Sequence, residues 1–176
     1  MRESNKGFTL LEVLIVVVIA VSVAAFGVPA YKKSQERNSY LAAQGVLMDF
    51  GNAVRTLRQN MRGICPGATF PISTSAVQLT SSWQTFPTTL TNEGYCSSTD
   101  LNFGTVLFTH KYMSPIPFTS GNTFKGYSFY LCPQNTSSSS YCCGSDSSVV
   151  ACIRNTSSSN YAWARYHKDG TITQSN

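Results

Sequence analysis

Charge is scarce in this chain: 12% of its 176 residues are Asp, Glu, Lys or Arg. The few charges are also unevenly placed. Through Gly63 there are eight Lys/Arg against four acids, and beyond it five against four. The C-terminal portion is therefore almost neutral, without the cationic surplus of a nucleic-acid domain. Histidine is nearly absent, with only His110 and His167. The cysteines contain no C-x-x-C spacing, which weakens a zinc reading. No nucleophile–base pair, carboxylate pair or metal-ligand cluster forms a recognisable catalytic motif, so the chain reads as not an enzyme, with no cofactor and no metal.

Two features stand against this sparse background. The first is six cysteines (Cys65, Cys96, Cys132, Cys142, Cys143 and Cys152), all after the apolar N-terminal run. An even count on one side of a membrane-type segment reads as disulfides in an oxidising compartment. Cys142 and Cys143 are adjacent, and a ring between neighbours is strained, so they are expected to take different partners. Six cysteines allow fifteen pairings, and the sequence does not choose among them.

The second is "MRESNKGFTLLEVLIVVVIAVSVAAF". From Phe8 to Ala30 the only charged residue is Glu12. A helix of this length spans about 34 Å, enough for a bilayer's hydrocarbon core. A transmembrane anchor fits, as does a secretory signal peptide with Arg2 and Lys6 at its basic end and Ser22-Val23-Ala24 as cleavage site. Neither accounts for Glu12. A carboxylate on a membrane helix is costly and usually has a partner and a function. The nearest candidate cation is the α-amino group that a cut after Gly7 would create on Phe8, one helical turn above Glu12. Pairing could occur within one chain or between neighbours in a bundle.

"KGFTLLEV" resembles the cleavage and methylation signature of type IV pilins: a short basic leader ending in Gly, then Phe-Thr-Leu and a Glu as fifth residue of the mature chain. "VPAYKK" is similar to the Pro-Ala-Tyr segment at which pilin helices leave the membrane, and Pro29 is the twenty-second residue from Phe8, the family's spacing. The strong match covers roughly residues 6 to 31. The resemblance implies a leader of residues 1–7 cut between Gly7 and Phe8 by a prepilin peptidase, and N-methylation of Phe8 by the same enzyme. It implies an assembly role for Glu12, paired with the terminal amine of a neighbouring subunit. The implied partners are other pilins in a homo- or hetero-oligomeric filament and an inner-membrane assembly platform. The head would be periplasmic before assembly and extracellular afterwards. The family also implies a disulfide closing a C-terminal loop, Cys132 or Cys152 with one of the vicinal pair.

Gly27 and Pro29 are expected to kink or loosen the helix. Tyr40, Ala43, Leu47, Phe50, Val54, Leu57 and Met61 then recur at spacings of three and four, one apolar stripe ringed by Lys32, Lys33, Arg37, Arg55, Arg58 and Arg62. The helix is expected to run to about Met61 and end near Gly63 or Pro66. Residues 8–30 read as transmembrane or filament-core helix, 31–63 as its amphipathic half and 64–176 as a globular head. Residues 64 to 100 read as a long loop with one short element around Ala76 to Trp83. Strands are expected at Thr105–Lys111, Tyr127–Cys132, Val149–Arg154 and Tyr161–His167, with a hairpin at Asp169-Gly170 returning through Thr171–Thr173. The sum is α+β: the type IV pilin fold, a long N-terminal helix on a small antiparallel sheet with disulfide-stapled C-terminal loops.

Three functions follow from the resemblance. The first is a structural subunit, major or minor, of a type IV pilus serving adhesion, twitching or surface attachment. The second is a competence-type minor pilin that binds DNA through Lys111, Lys125, Arg154, Arg165 and Lys168 with Tyr161, Trp163 and Tyr166 for stacking; scattered cations make this a poor electrostatic footprint. The third is a type II secretion pseudopilin. Some major pseudopilins bind calcium near a Pro-rich turn, yet this chain has Pro117-Phe118 there and no Asp between Asp100 and Asp146, so no metal site is carried over.

Overall fold

The computed structural model describes residues 9–64, 76–81, 107–108, 111–119, 121–132, 141–158 and 160–175. In chain order it contains a helix α1 (Leu10–Ile64) and five strands: β1 (Val77–Gln78), β2 (Ser128–Leu131), β3 (Val149–Arg154), β4 (Trp163–His167) and β5 (Ile172–Gln174). The chain divides into two units, Met1–Asn38 and Ser39–Asn176.

In the first unit the helical turns from Leu10 to Val28 are apolar on every side apart from Glu12 and Ser22, and the large hydrophobic residues there are all exposed. A helix apolar all round needs a partner other than water, a bilayer or other helices. It is long and apolar enough to cross a membrane. The helix is continuous through Gly27 and Pro29. Pro29 has no N–H, so the Ala25 carbonyl lacks its usual donor.

In the second unit the helix is amphipathic. Tyr40, Ala43, Leu47, Phe50, Val54 and Leu57 are buried against the sheet, as their spacing predicts; the Met61 side chain lies outside the described residues. The strand order is β1-β2-β3-β4-β5, every neighbour antiparallel. Alternation decides the faces. Phe129, Leu131, Ile153, Ala164 and Tyr166 join the helix-facing core, whereas Tyr130, Cys132, Val149 and Cys152 form a smaller cluster with Cys142 and Cys143. A register shift between Val149 and Ala151 lets Val150 and Ala151 both join the larger core.

One expectation is corrected. A strand was expected over Thr105–Lys111. Leu107 and Phe108 are instead helical and both buried in the same core, and Lys111 sits in a turn with φ 58°. Adjacent residues of a strand without a bulge point to opposite faces and could not both reach that core. Arg58, one of the cations ringing the stripe, is only 9% exposed. Its Nη2 donates to the Cys132 carbonyl at 3.2 Å, and its Nε has no acceptor among the described residues. Burial pushes this guanidinium down to about 10.

Tyr40 closes one end of the core. Its ring stacks on Tyr161 at 4.9 Å, and its hydroxyl donates to Gln174 Oε1 at 2.7 Å. Burial, aided by Tyr127 and Tyr161, pushes the phenol up from 10.0 to about 12. With the folded value above the unfolded one, this contribution is whole below pH 10 and lost as pH rises through about 12. Arg58, shifted downwards, acts in the opposite sense over part of that range. The difference between wild type and Tyr40→Phe isolates the phenol. In thermal melts from pH 9 to 12, the wild-type midpoint is expected to fall more steeply than the variant's. Parallel curves would remove Tyr40 as the cause.

Candidate functional site

The N-terminal end of α1 is built by a reciprocal contact. Thr9 N–H and Thr9 Oγ1 both donate to Glu12 Oε2 at 2.9 Å, and Glu12 N–H donates back to Thr9 Oγ1 at 3.3 Å. This is a capping box, in which two side chains satisfy backbone donors that the first helical turn leaves open. The acid also lies where the helix dipole favours negative charge. The Thr-x-x-Glu spacing was readable in "FTLLEV" but was passed over in favour of a partner for the carboxylate. Gly7 and Phe8, the expected cleavage and methylation positions, lie outside the described residues.

The second built region is the C-terminal face of the sheet. Cys132 pairs with Cys143 (Cα–Cα 5.5 Å) and Cys142 with Cys152 (Cα–Cα 5.9 Å), so the vicinal cysteines take different partners. Both separations are ordinary for disulfides. Cys65 and Cys96 lie outside the described residues. Arg165 clamps the stapled turn: its Nε donates to the Cys142 carbonyl at 2.6 Å, and its guanidinium lies 4.2 Å from the Trp163 ring centroid. Gly144 passes closely beneath it with φ 66°; a Cβ there would stand 2.9 Å from Arg165 Nη2. Cys132, Cys143 and Cys152 also group their sulfurs within 4.8 Å, but as bridged sulfurs they are not thiolate ligands.

His167 joins neighbouring elements through hydroxyls. Its Nδ1 lies 2.8 Å from Ser148 Oγ and 3.6 Å from Asp146 Oδ2, and its Nε2 lies 2.8 Å from Thr173 Oγ1. The Asp146 carboxyl is held below its usual range by the Ser148 N–H and hydroxyl, with smaller help from His167 and Arg165. His110 lies outside the described residues.

The side chains considered for DNA do not assemble into one surface with free aromatic faces. Tyr166 is buried and donates to Asn52 Oδ1 at 2.6 Å, Tyr161 is stacked on Tyr40, and Trp163 is covered by Arg165. Lys111, Lys125, Arg154 and Lys168 are exposed but sit on separate turns and a strand end.

An apolar N-terminal helix, a five-stranded antiparallel sheet and paired C-terminal cysteines fit the type IV pilin fold. Residues 2–28 match the family model of the prokaryotic N-terminal methylation motif. A type IV major fimbrial protein FimA of Dichelobacter nodosus is 39% identical over 77 residues, 44% of this chain and 47% of the relative. A second protein of that name from the same organism is 42% identical over 67 residues, 38% of this chain and 41% of the relative. The chain thus spans less than half the length of these curated relatives. No solved structure matches significantly. The motif and the fimbrial relatives together support a type IV pilin.

Proposed function

We propose that this chain is a structural subunit of a type IV pilus, held in the inner membrane by its apolar helix and then drawn into an extracellular filament for adhesion, twitching or surface attachment. The observation that carries the reading is Glu12, a lone carboxylate near the start of an exposed apolar helix, within the matched methylation motif. On this reading a prepilin peptidase removes residues 1–7 and methylates the Phe8 amine. Glu12 then pairs with that amine on a neighbouring subunit, residues 8–30 enter the filament core and 31–63 carry the head of residues 64–176. The inner-membrane assembly platform and other pilins are the partners. The segment around Gly27 and Pro29 supplies whatever bending the packing needs, because one backbone bond is already missing there. Nothing in this reading asks for catalysis by the chain, which is instead a substrate.

Intact-mass spectrometry of filaments sheared from native cells tests the proposal. The expected species begins at methylated Phe8 and is lighter by the hydrogens lost to its disulfides. Dominance in the filament marks a bulk subunit, and a trace level marks a minor one. A chain still beginning at Met1, or one cut after Ala24, overturns the pilin reading.

A further inference from the structure

We propose that Cys152 is the hub of a thiol–disulfide exchange site, through which the two bridges of the C-terminal face trade partners inside the folded head. This is independent of filament assembly. Cys152 Sγ, bonded to Cys142, lies 3.6 Å from Cys143 Sγ and 3.7 Å from Cys132 Sγ, the two atoms of the other bridge. These are contact distances. Cys152 Sγ stands almost equidistant from both sulfurs of Cys132–Cys143, side-on to their bond; once freed from Cys142, its thiolate needs only a turn about its own Cα–Cβ bond to come into line with that bond, and exchange proceeds by such an attack.

Burial opposes forming that thiolate, and all four cysteines are buried. Arg165 opposes the burial. It is the direct cross-strand partner of Cys152, so the two side chains share one face of the sheet. Its guanidinium, already clamped on the Cys142 carbonyl, is a fixed positive charge at the site. A neighbouring cation lowers a thiol's pKa.

The chemistry balances without an electron source beyond its first step. An external dithiol reductant opens Cys142–Cys152, leaving two thiols on the protein and closing its own disulfide. Cys152 gives its proton to solvent and attacks Cys143 Sγ. The Cys143–Cys152 bond forms, the Cys132–Cys143 bond breaks, and the electron pair leaves with Cys132, which takes up a proton. Attack at Cys132 Sγ instead forms Cys132–Cys152 and releases Cys143. In either case Cys142 and the released thiol close the second bridge by returning two electrons and two protons to the oxidised dithiol of the first step. The consequence concerns the vicinal pair. Cys142 and Cys143 must each select one of two partners, and a wrong choice is corrected through Cys152 without unfolding the sheet.

The test uses the full chain with Cys142→Ser, which leaves Cys152 as the unpaired sulfur of the cluster. The protein is held at pH 8, quenched with acid at intervals and alkylated, and the label is mapped by peptide mass spectrometry. The expected result is loss of label from Cys152 and its appearance on Cys132 and Cys143, at a rate that rises with pH and does not depend on protein concentration. Label that stays on Cys152 alone for hours overturns the proposal. Should the variant fail to fold, the unaltered chain is treated with one equivalent of dithiothreitol and trapped the same way. Molecules with Cys142 free together with Cys132 or Cys143 support exchange; thiols found only as the original pairs overturn it.

Discussion

Glu12→Gln is expected to leave the chain in the membrane and remove it from filaments. The substitution separates two roles that the carboxylate can fill. As the third residue of a capping box, Gln serves almost as well as Glu, because either side chain can accept the Thr9 N–H. As the partner of a terminal amine it does not serve, because the pairing depends on charge. Leaving a partly desolvated amine unpaired costs about 3–5 kcal/mol. At 1.4 kcal/mol per factor of ten, that is a loss of at least about a hundredfold in the assembly equilibrium. Immunoblots of sheared-filament and membrane fractions supply the readout. A Gln variant that incorporates at the wild-type level would assign Glu12 to the cap alone and sink the pairing. Glu12→Ala, which removes both roles, then measures what the cap contributes, about 1 kcal/mol.

The largest expected loss of head stability comes from one added methyl group. A Cβ at Gly51 would overlap the ring of Tyr166 at Cγ, Cδ1 and Cε1. That ring cannot swing aside cheaply: it is 2% exposed, and its hydroxyl is tied to Asn52 at 2.6 Å. Ala gains about 1 kcal/mol over Gly in helix propensity. Against this, overpacking costs up to about 3 kcal/mol, and expelling a buried aromatic ring costs about 3–5 kcal/mol. Gly51→Ala should therefore lower the head's Tm by roughly 5–15 °C. Gly45→Ala is the matched control. Nothing lies within 4 Å of its added Cβ, so the helical gain of about 1 kcal/mol should appear as a slightly raised Tm. A Gly51→Ala head that melts at or above wild type would mean that α1 and β4 do not approach this closely.

Gly51 also shows where reading the sequence stopped. The stripe from Tyr40 to Leu57 was legible because helical periodicity repeats over several turns, and each repeat reinforces the next. Val149–Arg154 was legible as a strand from its β-branched residues and length, and β2 from its alternation. The close approach at Gly51 was not, because a glycine in a helical pattern looks the same whether it faces water or a ring. The burial of Arg58 was hidden for a related reason. Its neighbours Val54 and Leu57 mark the buried stripe, but a charged residue at its edge is ordinarily exposed. Only the three-dimensional position of the Cys132 carbonyl reveals its burial. Leu107 and Phe108 were misread because two adjacent apolar residues fit a buried strand or a helical turn equally well. The choice of partners by Cys142 and Cys143 depends on how the loop folds back over β3, which spacing alone does not encode. Glu12, conversely, is legible because it is the one charge in an apolar run, and its bond to Thr9 is encoded in the Thr-x-x-Glu spacing of the same segment.

The sheet ends in β1, two residues long, and β5, three residues long. Among the described residues, those are the strands with an unpaired side in the order β1-β2-β3-β4-β5. Each offers a visiting strand very few backbone donors and acceptors, whereas a long open edge is a template for cross-molecular pairing. A second copy of the head meeting either edge thus finds too short a template to extend the sheet, which guards against amyloid-like fusion.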